Sequence, residues 1–96
     1  MQLNPSAVRG SLASKTQTMC FSVFAHPEPA VLPKLCLPVA KRGIMISRMH
    51  ACIVHEGREL QVDFQVEGMD HKQANLIAQT MRQFPDVTCV LVSEKG

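Results

Sequence analysis

A chain of 96 residues makes one domain, and 46 % hydrophobic with 19 % charged residues suits a small folded one. Ten Lys+Arg against eight Asp+Glu leave a net charge of +2, too little to argue for nucleic acid or a membrane surface as partner, and no apolar run approaches the roughly 18–20 residues of a membrane span. Four Phe with no Trp or Tyr argue against stacking platforms for single-stranded nucleic acid or sugars, and a chain this short favours a binding or regulatory module over an enzyme.

Residues 1–16 (MQLNPSAVRGSLASKT) lack a hydrophobic period and precede the first acidic residue, Glu28. They are expected to form a flexible tail whose basic, acid-free composition is shared with organelle transit peptides. No apolar stretch of signal-peptide length follows Arg9. Residues 17–96 are expected to form a single domain. Thr18–Ala25 is β-rich and unbroken, which predicts a strand. His26-Pro27-Glu28-Pro29 then makes a stiff loop, because two prolines remove amide donors and hold their predecessors extended.

Ala30–Arg42 carries Val31, Leu32, Leu35, Cys36, Val39 and Ala40 at helical spacing, with Lys41 and Arg42 at the cation-favouring end and Gly43 as the capping glycine. Pro33 fits a first turn. Pro38 loses a hydrogen bond and crowds the preceding turn, at about 3 kcal/mol, so a kink or a late helix start is expected. Ile44–His55 reads as a strand with a bulge near Ser47-Arg48, and Glu56-Gly57-Arg58 as a tight hairpin turn with Gly57 at positive φ. Leu60, Val62, Phe64 and Val66 alternate strictly with Gln61, Asp63 and Gln65, so one face of that strand meets a core. Asp70 and Gln73 have capping-box spacing ahead of a helix with Ala74, Ile77, Ala78, Met81 and Phe84 on its inner face. Pro85 ends it, Asp86 turns the chain, and Val87–Val92 is a last strand.

The order β-α-β-β-α-β predicts a ferredoxin-like α+β sandwich, a four-stranded antiparallel sheet with two helices on one face. The opposite sheet face is then bare, and a homodimer through a face or an edge is expected.

Little in the sequence points to catalysis. Cys20, Cys36, Cys52 and Cys89 form no CxxC pair and sit among apolar neighbours, so they read as buried, reduced side chains of a cytoplasmic protein. His26, His50, His55 and His71 show no metal-ligand spacing, so neither a metal nor a cofactor is expected. Glu56, Glu59 and Asp63 around the hairpin read as solvated charge. Gly43, Gly57 and Gly68 are isolated and make no phosphate loop. Arg48 has no aromatic companion on its strand, which leaves RNA binding on the sheet unsupported. A small ferredoxin-like enzyme using Cys20, Cys52 or His50 is the catalytic alternative.

Pro29-Ala30-Val31-Leu32, Val39-Ala40-Lys41-Arg42-Gly43-Ile44 and Phe84-Pro85-Asp86-Val87-Thr88-Cys89-Val90 resemble motifs of the ACT domain family. Within that family the chain looks most like the regulatory small subunit of acetolactate synthase, with the likeness running from about Thr18 to Glu94. The resemblance implies a non-catalytic regulatory chain in which two copies pair side by side into a continuous sheet. It implies an amino-acid effector (valine, leucine or isoleucine) at their interface and a catalytic subunit of acetolactate synthase as partner. The implied effector residues are Pro27, Glu28, Pro29, Ala30 and Val31 from the first loop, with Gly43, Ile44, Met45 and Ile46 supplied by the partner copy. Family members often carry Asn near Pro27 or Glu28, Gly in place of Ala30 and a polar residue in place of Met45. A stand-alone dimerisation or interaction module without a small-molecule ligand is the other reading.

Overall fold

The computed structural model describes residues 17–95. The segment expected to be a flexible tail, 1–16, lies outside the described residues. Four strands and two helices follow in the predicted order: β1 (Thr18–Ala25), α1 (Val31–Lys41), β2 (Ile46–Val54), β3 (Glu59–Glu67), α2 (His71–Arg82) and β4 (Val87–Glu94). All neighbouring strands are antiparallel, in the order β2-β3-β1-β4. The chain is the ferredoxin-like sandwich that its element order predicts.

The core lies between the helices and one sheet face. Met19, Phe21, Val23 and Ala25 of β1 and Leu60, Val62, Phe64 and Val66 of β3 are buried there. Phe21 and Phe64 face each other in register and stack with ring centroids 4.7 Å apart. Val31, Leu35 and Val39 close the core from α1, and Ala74, Ile77, Ala78 and Met81 from α2.

Both helix ends follow local chemistry. Asp70 accepts from the Gln73 amide at 2.8 Å, and the Gln73 side chain returns the bond to the Asp70 amide, completing the capping box. At the end of α1, the Gly43 amide bonds to the Ala40 carbonyl and the Ile44 amide to the Val39 carbonyl, with Gly43 at φ +70°. That closure engages Ile44 in the helix terminus, so β2 begins at Ile46 instead of Ile44. It ends at Val54 because His55 has already turned to φ +54°. The bulge expected near Ser47-Arg48 is present as a register shift between Ile46 and Arg48.

Two expectations need correction. Of the kink and the late start expected from Pro38, the late start does not occur: helix α1 starts at Val31, and Pro38 sits inside it with its ring buried. The cysteines are not buried. Cys20, Cys36 and Cys52 are half-buried and Cys89 is exposed. Cys20, Cys52 and Cys89 alternate away from the core onto the bare sheet face, which apolar neighbours in sequence do not reveal.

Candidate functional site

The loop after β1 is held by its own backbone. The His26 amide bonds to the Asp86 carbonyl at 2.8 Å, Glu28 to the His26 carbonyl at 2.9 Å and Val31 to the Glu28 carbonyl at 3.1 Å. Pro27 and Pro29 have no donor. Among the described residues, the Ala30 and Leu32 amides at the start of α1 have no backbone acceptor, and Pro33 again offers no N–H.

Beside this loop, Pro27, Glu28, Pro29, Leu32, Ile53 and Leu60 line an open depression of about 290 Å³. Three of the five loop residues singled out from the sequence therefore meet at one concavity. Val31 turns into the core instead, at 2 % exposure, and lines a separate 230 Å³ hollow with Lys34, Phe84, Pro85, Asp86 and Val87. Ala30 is exposed next to the loop. The sequence did not mark Leu32, Ile53 or Leu60 as wall residues. For Ile53 and Leu60 the signal was the hairpin itself, because a turn at Glu56–Arg58 sets Ile53 opposite Leu60 at the loop end of the sheet.

The second predicted group lies elsewhere. Gly43, Ile44, Met45 and Ile46 sit where β2 begins, at the end of the sheet occupied by Val66 and Thr18. A strand length of roughly 26 Å separates them from the loop end, at about 3.3 Å per residue. One chain does not bring the two groups together. Gly43 is exposed, Ile44 and Ile46 pack partly on the core, and Met45 is 81 % exposed.

The bare sheet face carries ordered rows of side chains. His50, Asp63, Ser22 and Leu91 form one row; Cys52, Gln61, Phe24 and Cys89 form the next. Asp63 accepts from Ser22 Oγ at 2.6 Å and from Gln61 Nε2 at 3.1 Å. A serine nucleophile needs a histidine between itself and the carboxylate. Here the carboxylate stands in the middle, so the row is not arranged for nucleophilic catalysis. Among the described residues, no group of three or more His, Cys, Asp or Glu side chains could hold a metal ion, and no helix is long and apolar enough to cross a membrane.

No family model matches the sequence, and no curated protein matches it. Solved structures do. The ACT domain of GTP pyrophosphokinase from Chlorobium tepidum superposes with a TM-score of 0.68 at 6 % identity, over 81 % of this chain and 99 % of that one. The C-terminal domain of the MgtC protein from Mycobacterium tuberculosis gives 0.69 at 12 % identity, over 82 % and 87 %. The regulatory subunit of aspartate kinase from Thermus thermophilus gives 0.62 at 13 % identity, over 80 % of this chain and 50 % of that one. The chain thus has the fold of ACT domains.

Proposed function

We propose that this chain is a non-catalytic regulatory module of the ACT type that binds a small amino acid between two copies of itself. The observation that carries the reading is the depression walled by Pro27, Glu28, Pro29, Leu32, Ile53 and Leu60, next to the free Ala30 and Leu32 amides. Amides at a helix start suit a carboxylate, and the apolar wall of Leu32, Ile53 and Leu60 suits an aliphatic side chain. Gly43, Ile44, Met45 and Ile46 close the site from the second copy. Valine, leucine and isoleucine are the effectors this wall fits, and the catalytic subunit of acetolactate synthase is the partner that the sequence resemblance names. The neighbours' names support the regulatory reading: one is an ACT domain of a GTP pyrophosphokinase, another a regulatory subunit of aspartate kinase.

Thermal unfolding with each of the twenty amino acids tests the effector. Ligand at about 100 times its Kd stabilises the fold by roughly 2.7 kcal/mol, a shift of several degrees. A rise with valine, leucine or isoleucine alone supports the sensor. No rise with any amino acid removes it for the isolated chain. Co-purification of a large thiamine-diphosphate enzyme tests the partner.

A second reading is a dimerisation or interaction module without a ligand. It is favoured by the loop's chemistry: Pro27 and Pro29 donate nothing, and Glu28 sets a negative charge where a carboxylate is to bind. Dimerisation without any amino-acid response separates it from the first.

A further inference from the structure

The bare sheet face holds a concavity of its own, apart from the loop depression. Arg48 and His50 of β2, Asp63 and Gln65 of β3, and Cys20 and Ser22 of β1 line a hollow of about 170 Å³. The registers set Arg48, Gln65 and Cys20 in one row and His50, Asp63 and Ser22 in the next. The rings of Phe21 and Phe64 turn the other way, into the core, so the floor is backbone already paired in the ladders. Binding here falls to the side chains.

A bulge puts Arg48 on this face. Ile46 pairs with Val66 and Arg48 with Gln65, which leaves Ser47 as the extra residue. Plain alternation from Ile46 would carry Arg48 to the helix side. The Ser47 hydroxyl donates to the Gln65 carbonyl at 3.1 Å and holds the bulge. Bulges that re-aim a side chain are over-represented next to functional sites.

Charge is arranged in the same hollow. Among the described residues, the side chains of Arg48, His50 and Gln65 have no hydrogen-bond or ion-pair partner. Asp63 gives one oxygen to Ser22, toward β1, and the other to Gln61, away from the Arg48 row. The corner between Arg48 and Gln65 therefore presents a guanidinium and a side-chain amide, both with donors to spare.

We propose that this corner binds a short-chain monocarboxylate. Arg48 takes both carboxylate oxygens through its fork, Gln65 donates to one of them, and the carbon chain lies along the row toward the Cys20 thiol. The planar guanidinium matches a carboxylate, two N–H groups to two oxygens. Arg48 balances one added negative charge, whereas a dianion such as phosphate leaves a surplus charge beside Asp63. Pockets for drug-sized ligands begin at roughly 300 Å³, so a smaller hollow takes a chain of a few carbons. The site uses no residue of the loop after β1, so it stands apart from the amino-acid effector reading.

Cys20 is a reporter inside the hollow, and Cys52 and Cys89 on the same face are its controls. Iodoacetate is a short monocarboxylate and iodoacetamide its neutral counterpart; with either, the thiolate sulfur bonds to the methylene carbon and iodide leaves. Peptide mapping by mass spectrometry after brief exposure gives the rate at each cysteine. Taking the ratio of the two reagents cancels differences in the thiols' own reactivity. That ratio is expected to be about fivefold higher at Cys20 than at Cys52 or Cys89, and Arg48→Gln brings it down to theirs. Propionate slows the iodoacetate reaction at Cys20 alone, phosphate at equal ionic strength does not, and Asp63→Asn lets phosphate compete. Should Cys20 react with neither reagent, propionate titrated into nitrogen-15-labelled chain is expected to give saturating amide shifts centred on Arg48 and Gln65, absent in Arg48→Gln. Equal ratios at the three cysteines, a high Cys20 ratio that survives Arg48→Gln, or shifts that do not saturate overturn the site. Phosphate that competes as well as propionate in the parent chain overturns the choice of a monocarboxylate. An amino-acid response in thermal unfolding without a preference at Cys20 removes this site and leaves the effector reading; the reverse pattern removes the effector alone.

Discussion

Ser22 donates its hydroxyl to Asp63 across the β1–β3 pairing at 2.6 Å, and Gln61 donates to the other carboxylate oxygen. The contact joins two half-buried polar groups on a sheet face that no helix covers. It also gives each Asp63 carboxylate oxygen a neutral donor, Ser22 on one and Gln61 on the other. Ser22→Ala is expected to lower stability by about 1 kcal/mol, a fall in Tm of roughly 4–8 °C, with dimer and ligand response unchanged. Denaturant unfolding and a thermal scan check it. A loss of ligand response in a folded Ser22→Ala chain would place the site on the bare face instead.

The core is less forgiving. Phe21 and Phe64 are both within 2 % of full burial and stack at 4.7 Å. Phe64→Ala removes a ring from a closed core and leaves Phe21 without its partner. A loss of about 3–5 kcal/mol is expected, enough to unfold much of a domain this small at 37 °C. Phe64→Leu keeps most of the volume and is expected to lose less than half as much, read by urea midpoints at constant slope.

Much of this architecture was legible because local signals agreed. Strict alternation placed Leu60, Val62, Phe64 and Val66 inside, and the Asp70/Gln73 spacing gave the cap of α2. Ser47 was legible as a bulge because Ile46 and the residues after Arg48 cannot otherwise keep their faces. What was hidden depends on register between strands. Cys89 has apolar neighbours in sequence, yet its partner is Phe24 on the bare face, and the pairing decides its exposure. The candidate site was half legible for the same reason. Pro27–Pro29 stand out as a loop, whereas Ile53 and Leu60 become wall residues only once the hairpin closes.

The hairpin turn holds a residue that its conformation does not favour. His55, Glu56 and Gly57 all have positive φ, at 54°, 58° and 87°, and the Arg58 amide bonds back to the His55 carbonyl at 3.2 Å. Glu56 and Gly57 are thus the central pair of a type I′ turn, where Asn-Gly is preferred. Glu56→Asn is expected to stabilise the fold by about 0.5–1 kcal/mol, because Asn tolerates the left-handed region that Glu resists. The change gives up an exposed ion pair with Arg58 at 3.6 Å, which contributes little. A higher midpoint of unfolding in urea checks the sign.

Pro38 poses a balance between backbone and core. Replacing it by Ala restores a helical hydrogen bond to the Lys34 carbonyl and relieves crowding, about 3 kcal/mol in favour. The same change removes two buried methylenes, about 1.6 kcal/mol, and frees the unfolded chain by about 0.4–1 kcal/mol. The terms nearly cancel, and Pro38→Ala is expected to lie within about 1 kcal/mol of the parent. A loss well beyond that in a thermal scan would mean that the buried ring, at the inner face of α1, is worth more than its area.

Glu28 is the charge that decides how well the loop can take a carboxylate. It is exposed, and it lines the depression beside Ala30 and Leu32, whose amides are free. At about 4 Å in a wet site, two like charges repel by roughly 1 kcal/mol. Glu28→Gln removes that repulsion and keeps the side chain's size, so amino-acid affinity is expected to rise by about fivefold. The gain shrinks as salt is raised, since screening already weakens the repulsion in the parent chain. Calorimetric titration at low and high ionic strength reads both effects. An affinity that does not change would show that Glu28 points away from the ligand, and a gain that persists at high salt would assign the effect to the loop's shape and not to its charge.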